Sequence, residues 1–313
     1  IPVYSLYSET HRPTAEMLED IDTFIIDLQD VGTRIYTYIT TMINCLQECA
    51  KHGIKVMVLD RPNPIGGELV EGNVLEKGLE SFVGVMEIPV RHGMTMGEIA
   101  HYAKKEFHLE ELDLEVVTME NWRRNMQWQE TGRPWINPSP NLPTPEGALA
   151  FPGTVLFEGT NISEGRGTTR SLEQVGHPKI DPFQLERPLK LLMDKADVQG
   201  ITLRSVSFYP MFQKHAHTTC HGHFIHVTNP AQARSWELGQ LLLYQYAEAL
   251  GSDFQWKEDG YEYKFDRPAI DYINGTDKLR KWVEESGDIG ELRAIESQGQ
   301  QEFMVKRREC LLY

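Results

Sequence analysis

The stretch that most narrows what this chain can fold into is Phe24–Thr41, FIIDLQDVGTRIYTYITT. It opens on Phe24, Ile25 and Ile26, three apolar residues in a row, which predicts a strand covered on both faces. It leads into Ile35, Ile39, Met42, Ile43 and Leu46, whose spacing lays an apolar stripe along a helix. Between strand and helix stand Asp27, Asp30, Gly32, Thr33 and Arg34. Open α/β sheets bind ligands at the carboxyl ends of their strands, and that is where these residues fall. Helix capping is the plainer account of Asp30 or Thr33 taken alone. It leaves Asp27, Arg34, Tyr36 and Tyr38 unexplained, because both tyrosines lie off the apolar stripe.

Around this stretch the first half alternates. Val3–Tyr7 reads as a strand and Thr14–Asp20 as a short helix behind Pro13. Thr23–Leu28 is the central strand, and Arg34–His52 is a helix stopped by Gly53. Lys55–Asp60, Phe82–Val90 and Leu112–Val117 read as further strands. Thr95 and Glu98 form a capping box for a helix reaching Phe107. Strands alternating with helices predict an α/β fold with a Rossmann-like, doubly wound parallel sheet. The proline-rich Asn137–Pro145 reads as a rigid boundary. A second, smaller α/β domain is expected beyond it, with the domains at 1–147 and 148–313. There Thr154–Phe157, Thr202–Phe208 and Phe224–Thr228 read as strands, Pro182–Asp197 and Ala231–Leu250 as helices, and Ala269–Tyr313 as mostly helical.

A net charge of -15 makes nucleic acid and anionic membrane surfaces poor partners. No run of 18 apolar residues is present, so no membrane-spanning helix is expected. The chain opens on Ile1–Tyr7, which reads as a strand and not as a leader. Cys45 and Cys49 lie one helical turn apart, and with Cys220 and Cys310 they do not form a disulfide framework.

Three loops after strands bring charged groups to one rim: Asp27 with Asp30, Asp60 with Arg61 and Asn63, and Arg91 with His92. Each residue alone is accounted for by a cap, a turn or a surface ion pair. The glycine-rich cradles for dinucleotides and triphosphates are absent, as is the nucleophile elbow of serine hydrolases. The loop Glu158–Arg170 carries Glu158, Asn161, Glu164, Arg166 and Arg170 among three glycines, which suits either a polar surface or a substrate grip. In Lys214–His226, five histidines and Cys220 invite comparison with a metal site, but their spacing matches no zinc pattern. Neither metal nor cofactor is expected.

The segments FIIDLQDVGTRIYTYITTM, VLDRPNPIGG, IPVRHGMTMGEIA, NPSPNLPTPE and FEGTNISEGRGTT, in this order, resemble the NamZ-type exo-β-N-acetylmuramidases, a bacterial family first catalogued as being of unknown function. The resemblance runs to the closing KRRECLLY. It implies a Rossmann-like domain, a smaller α/β domain, a cleft between them, and release of N-acetylmuramic acid from the non-reducing end of peptidoglycan fragments. It also implies a secreted or cell-envelope location. The family's G-P-E-H-G motif, whose glutamate is the favoured acid, has no counterpart in these 313 residues, whose first strand corresponds to the family's third.

Glycosidases need an acid at the leaving oxygen and a base or nucleophile opposite. Asp30 and Glu164 are the catalytic candidates within this chain. Arg34, Arg91 and Arg166 are candidates to clamp the lactyl carboxylate of the muramic sugar, and Tyr36 and Tyr38 to stack on its ring. Asp27, Asp60, Arg61, Asn63, His92, Asn141, Glu158 and Asn161 complete the expected substrate-binding set. The rival reading is a module that grips an anionic sugar without cutting it. A third, an esterase or amidase on the same polymer, has no activated serine or cysteine to support it.

Overall fold

The fold is described from a computed structural model covering residues 2–313. The first unit contains β1 (Thr23–Ile26), α1 (Tyr38–His52), β2 (Lys55–Leu59), β3 (Glu71–Val74), β4 (Pro89–Arg91), α2 (Met96–Glu106) and β5 (Leu114–Val117). The strands β1, β2 and β5 form a parallel sheet in that order, with Ile26 opposite Val58 and Val58 opposite Val116. Helices α1 and α2 pack on each other and against β2. Ile26, Val56 and Val58 face them and are buried, whereas Ile25, on the other side, is 58% exposed. Among the described residues the sheet is covered on one face. β1 is an edge strand, and its apolar run is not buried on both sides.

Local contacts explain where elements depart from the sequence periodicity. Val3–Tyr7 is not a strand; the Tyr7 hydroxyl reaches the hydroxyls of Thr37 and Thr41 at 3.0 and 2.9 Å. Helix α1 starts at Tyr38 and not at Arg34, because the Arg34 amide donates to Val90 O at 2.8 Å and Thr33 bridges to Arg91. That pairing draws residues 33–34 onto β4. Of Phe82–Val90 only the end pairs, with β3, a strand that the polar sequence EGNV does not announce. The capping box at Thr95 and Glu98 is present.

The second unit holds α3 (Pro145–Thr154), β6 (Gln174–His177), α4 (Pro182–Lys195), β7 (Ile201–Phe208), β8 (Cys220–Val227), α5 (Ser235–Leu250), α6 (Ala269–Asn274), α7 (Lys278–Glu285), α8 (Ile289–Ser297) and α9 (Gln300–Arg308). Its sheet is antiparallel, in the order β6-β8-β7. The expected strand Thr154–Phe157 is instead the end of α3 and a 3-10 turn, Val155–Gly159. Thr144 and Pro145 start that helix, and its glycine lets it touch α5. A Cβ on Gly153 would lie 2.0 Å from Ser235 O, and one on Gly239 would lie 2.4 Å from Gly153 Cα. Nothing larger than hydrogen fits at that crossing.

The tail does not stay with the second unit. Phe303 of α9 packs on Tyr102 of α2 at 5.8 Å between ring centroids, and the Tyr313 hydroxyl donates to Asp60 at 2.8 Å. A cut at 147/148 therefore leaves part of the first core in the second piece. Among the described residues no helix is long and apolar enough to cross a membrane.

Candidate active site

The β1 loop, the β2 loop and the β4–α2 loop meet at the carboxyl ends of the parallel strands. Asp27 accepts from Arg61 Nε at 2.6 Å, with both side chains partly exposed. Asp30 is buried, and its Oδ2 accepts from the Gly32 amide at 2.6 Å. His92 Nε2 lies 3.4 Å from the same oxygen. The Met94 amide donates to His92 Nδ1 at 3.1 Å. In the neutral ring the proton then sits on Nε2, facing the carboxylate. Gly32 holds φ at +80°, and a Cβ there would come within 2.5 Å of Asn63 Oδ1 and of Ile65, so the turn requires glycine. Asp30 Oδ1 is buried without a hydrogen-bond partner.

Several expected binding residues are fully engaged inside the protein. Asp60 accepts from the Arg61 amide (3.0 Å), Thr95 Oγ1 (2.7 Å), the Gly97 amide (2.8 Å) and Tyr313 Oη (2.8 Å). Burial still raises its pKa, against the pull of these donors. It ties β2 to α2 and has no lone pair facing a ligand. Asn63 donates to Met94 O at 3.0 Å and accepts from the Ile65 amide at 3.1 Å. Asn161 donates to Asp253 O at 2.8 Å and accepts from the Gln255 amide at 3.1 Å. Asn141 Oδ1 accepts from Ser171 Oγ at 3.5 Å and remains half-buried.

Two of the three expected carboxylate clamps are interior. Arg34 is 1% exposed, and its two terminal nitrogens donate to Asn73 O (3.1 Å), Ile88 O (2.8 Å), Ile273 O (3.2 Å) and Asn274 O (2.8 Å). Burial lowers its pKa to about 9, which leaves it charged at neutral pH. Arg91 is 2% exposed and donates to Glu71 and to Ala233 O, both at 3.1 Å, and to Ile65 O. Both arginines join the two units. In each only Nε lacks a partner, and it is buried away from solvent.

In the Glu158–Arg170 loop, Arg166 lies between Glu158 and Glu164, 3.1 Å from the latter. Glu164 is also 2.9 Å from Lys214 Nζ, and Tyr261 Oη donates to Glu158 at 2.8 Å. Both Glu164 oxygens face cations, which makes it an anchor for two loops. No hydrogen bond or ion pair among the described residues joins this group to Asp30. Tyr36 and Tyr38 both donate to Pro138 O, at 2.8 and 3.2 Å, and their rings meet edge-on at 4.9 Å. Burial and the neighbouring Tyr38 and Asp30 push the Tyr36 pKa up.

A cavity of about 350 Å³ opens at this place, lined by Gln29, Tyr38, Arg61, Trp128, Arg133 and Pro138 among others. No periodicity in the sequence singles out Trp128 or Arg133, which sit in a 3-10 turn and the loop after it. Their place on the cavity wall comes from the tertiary fold alone. The histidines of 215–226 are dispersed: His215 contacts Asn161 O, His221 Ser207, His223 Tyr246 and His226 Arg204. Among the described residues no group of three or more metal-binding side chains is placed to hold an ion.

Comparison with known proteins fits this architecture. Residues 1–146 match the family model described as exo-beta-N-acetylmuramidase NamZ, N-terminal, and residues 149–313 match its C-terminal counterpart. The peptidoglycan beta-N-acetylmuramidase NamZ of Bacillus subtilis (strain 168) is 40% identical over 313 residues, which is 100% of this chain and 72% of that protein. Two crystal structures of DUF1343 family proteins from Bacteroides fragilis, each 29% identical, superpose with TM-scores of 0.90 and 0.74. The first covers 100% of this chain and 80% of the other, the second 96% and 78%. The chain therefore belongs to the NamZ family of exo-beta-N-acetylmuramidases.

Proposed function

We propose that the chain carries the fold of a glycoside hydrolase that releases N-acetylmuramic acid from the non-reducing end of peptidoglycan fragments. The observation that carries this reading is the 40% identity to the Bacillus subtilis enzyme, sustained over the whole chain. Such a substrate implies work in the cell envelope or outside the cell. Asp30 is the carboxylate we assign to the reaction. The Gly32 amide donates to Oδ2, His92 Nε2 lies 3.4 Å from the same oxygen, and Oδ1 is buried without a partner. A buried carboxylate so placed suits a base, a nucleophile or a group that orients the acetamido nitrogen of the sugar.

Asp30→Asn tests the assignment. It keeps the shape and removes the charge. Turnover of a chromogenic N-acetylmuramic acid glycoside should fall about 10²–10⁴-fold, in the range of acid–base side chains. Unchanged kcat in the Asp30→Asn variant excludes Asp30 from the reaction. One observation favours a second reading, a module that grips without cutting: Glu164, the other expected catalytic carboxylate, is occupied by Arg166 and Lys214. Binding of the fragment with no turnover by the wild-type chain favours that reading.

A further inference from the structure

His92 sits on the link between β4 and α2, and the tail of the chain grips that link from behind. Gly93 O accepts from Arg307 Nη2 at 2.7 Å and from Arg124 Nη1 at 2.8 Å, and Arg307 is buried. Gly93 holds φ at +63°, and a Cβ there would lie 2.9 Å from both Arg307 Nη2 and Gly67 O. The link is therefore fitted closely to an arginine that lies 214 residues further along the chain.

Tyr313 holds the other end of the link. Its hydroxyl accepts from the amide of Met119, just past β5, and donates to Asp60 Oδ2, just past β2, both at 2.8 Å. Thr95 Oγ1 donates to the same Asp60 oxygen at 2.7 Å. The Tyr313 ring meets Trp122 edge-on at 5.1 Å. The Leu312 amide donates to Glu98, the capping-box partner of Thr95, at 2.9 Å. One hydroxyl thus joins two adjacent strand ends. Through Asp60 it fixes Thr95 on one side and the Arg61 amide on the other. From Thr95 the link leads back to His92 and Asp30; from Arg61 the contact continues to Asp27. A phenylalanine would fill the same space against Trp122. The hydroxyl adds what space-filling does not, a fixed bond to the carboxylate from which both loops hang.

We propose that Tyr313 is a positioning residue of the glycosidase reaction: through Asp60 it sets where the loops carrying Arg61 and His92 meet Asp30. The assignment rests on the muramidase reading above. Reacting groups must be held to a fraction of an ångström, and a misplacement of about 1 Å from a distant change can cost about 10²-fold in rate.

The test uses the full chain with Tyr313→Phe, Asp60→Asn, the two together, and Phe303→Leu. The last thins the packing of the same tail on Tyr102 and leaves the Asp60 contacts in place. Turnover of a chromogenic N-acetylmuramic acid glycoside, Tm, and the ring resonances of His92 in histidine-labelled protein are read for each, with His92→Gln assigning the signal. Tyr313→Phe should lower kcat about 10–100-fold and shift the His92 resonances, with KM near its wild-type value. Phe303→Leu should lower Tm without either change. Adding Tyr313→Phe to Asp60→Asn should cost no more than Asp60→Asn alone, because both break one line of contacts. Unchanged kcat in Tyr313→Phe, an equal fall in Phe303→Leu, or losses that multiply in the double variant overturn the proposal and leave the muramidase reading standing. If the wild type has no turnover, that reading falls and the His92 ring decides. A shift in Tyr313→Phe that Phe303→Leu does not share supports the positioning, and no such shift overturns it. If Tyr313→Phe does not fold, Asp60→Asn decides by the same two readouts, and unchanged values overturn the proposal.

Discussion

Arg34 offers the sharpest separation between a substrate clamp and a structural tie. Its guanidinium donates to four backbone carbonyls, two in the first unit (Asn73, Ile88) and two in α6 (Ile273, Asn274). Arg34→Met retains most of the side-chain bulk and strands all four acceptors. Each hydrogen bond to a charged group contributes about 1.5–3 kcal/mol, but the four share one cation and do not add. Leaving a buried acceptor unsatisfied costs about 1–3 kcal/mol, so with four acceptors that do not add fully a loss of about 3–5 kcal/mol is expected here. At about 2.1 cal/mol/K per residue, the 313 residues give an unfolding entropy near 0.66 kcal/mol/K, so Tm should drop by roughly 5–8 °C. Differential scanning calorimetry reads that shift directly. Arg34→Lys should recover less than half of it, since an ammonium on a straight stem cannot span four acceptors. A variant with wild-type Tm but a selective loss of activity on the muramic sugar would refute this account and return Arg34 to the binding set.

The other predictions concern different parts of the molecule. Glu164→Gln should destabilise the chain by about 1.5–3 kcal/mol through its contacts with Arg166 and Lys214; denaturant titration checks this, and a large fall in kcat at unchanged stability contradicts it. His177 is buried beside His215, and these two effects lower its pKa from 6.5 to about 4, while its Nδ1 accepts from the Lys179 amide at 3.2 Å. The unfolded chain therefore binds that proton first, so stability should decline as pH falls from 6.5 towards 4, and His177→Gln should flatten that slope in pH-dependent melting. Burial pushes the thiols up, Cys45 to about 12 and Cys49 and Cys220 to about 11. A thiol reagent should label the native chain slowly at neutral pH and all four cysteines after denaturation; fast native labelling would count against this packing.

The parts of the fold that could be read from the sequence were those set by local chemistry. The alternation of β1, α1, β2, α2 and β5, and the capping box at Thr95, rest on periodicity and capping residues, and both are in the structure. The errors came from long-range pairing. Residues 33–34 are drawn onto β4, and a helical stripe cannot announce that. Val155–Phe157 is as apolar as a strand, but the Gly153–Gly239 crossing holds it in a helical turn. The gathering of Asp27, Asp30, Arg61 and His92 at the strand ends followed from their positions after strands. Charge alone could not separate arginines caged by carbonyls from one with open donors. Arg34, Arg91 and Arg133 look alike in sequence, and only burial distinguishes them.

The return of α9 to the first unit governs the order in which this protein can be made. The Asp60–Tyr313 bond spans 253 residues, and Phe303 and Cys310 complete a core otherwise drawn mainly from the first 112. At synthesis rates of roughly 5–20 residues per second, β2 waits about 12–50 s on the ribosome for the segment that seals its end. During that interval the second unit must emerge and fold beside an unfinished neighbour. Until then the face of α2 that Phe303 covers at Tyr102 stays open.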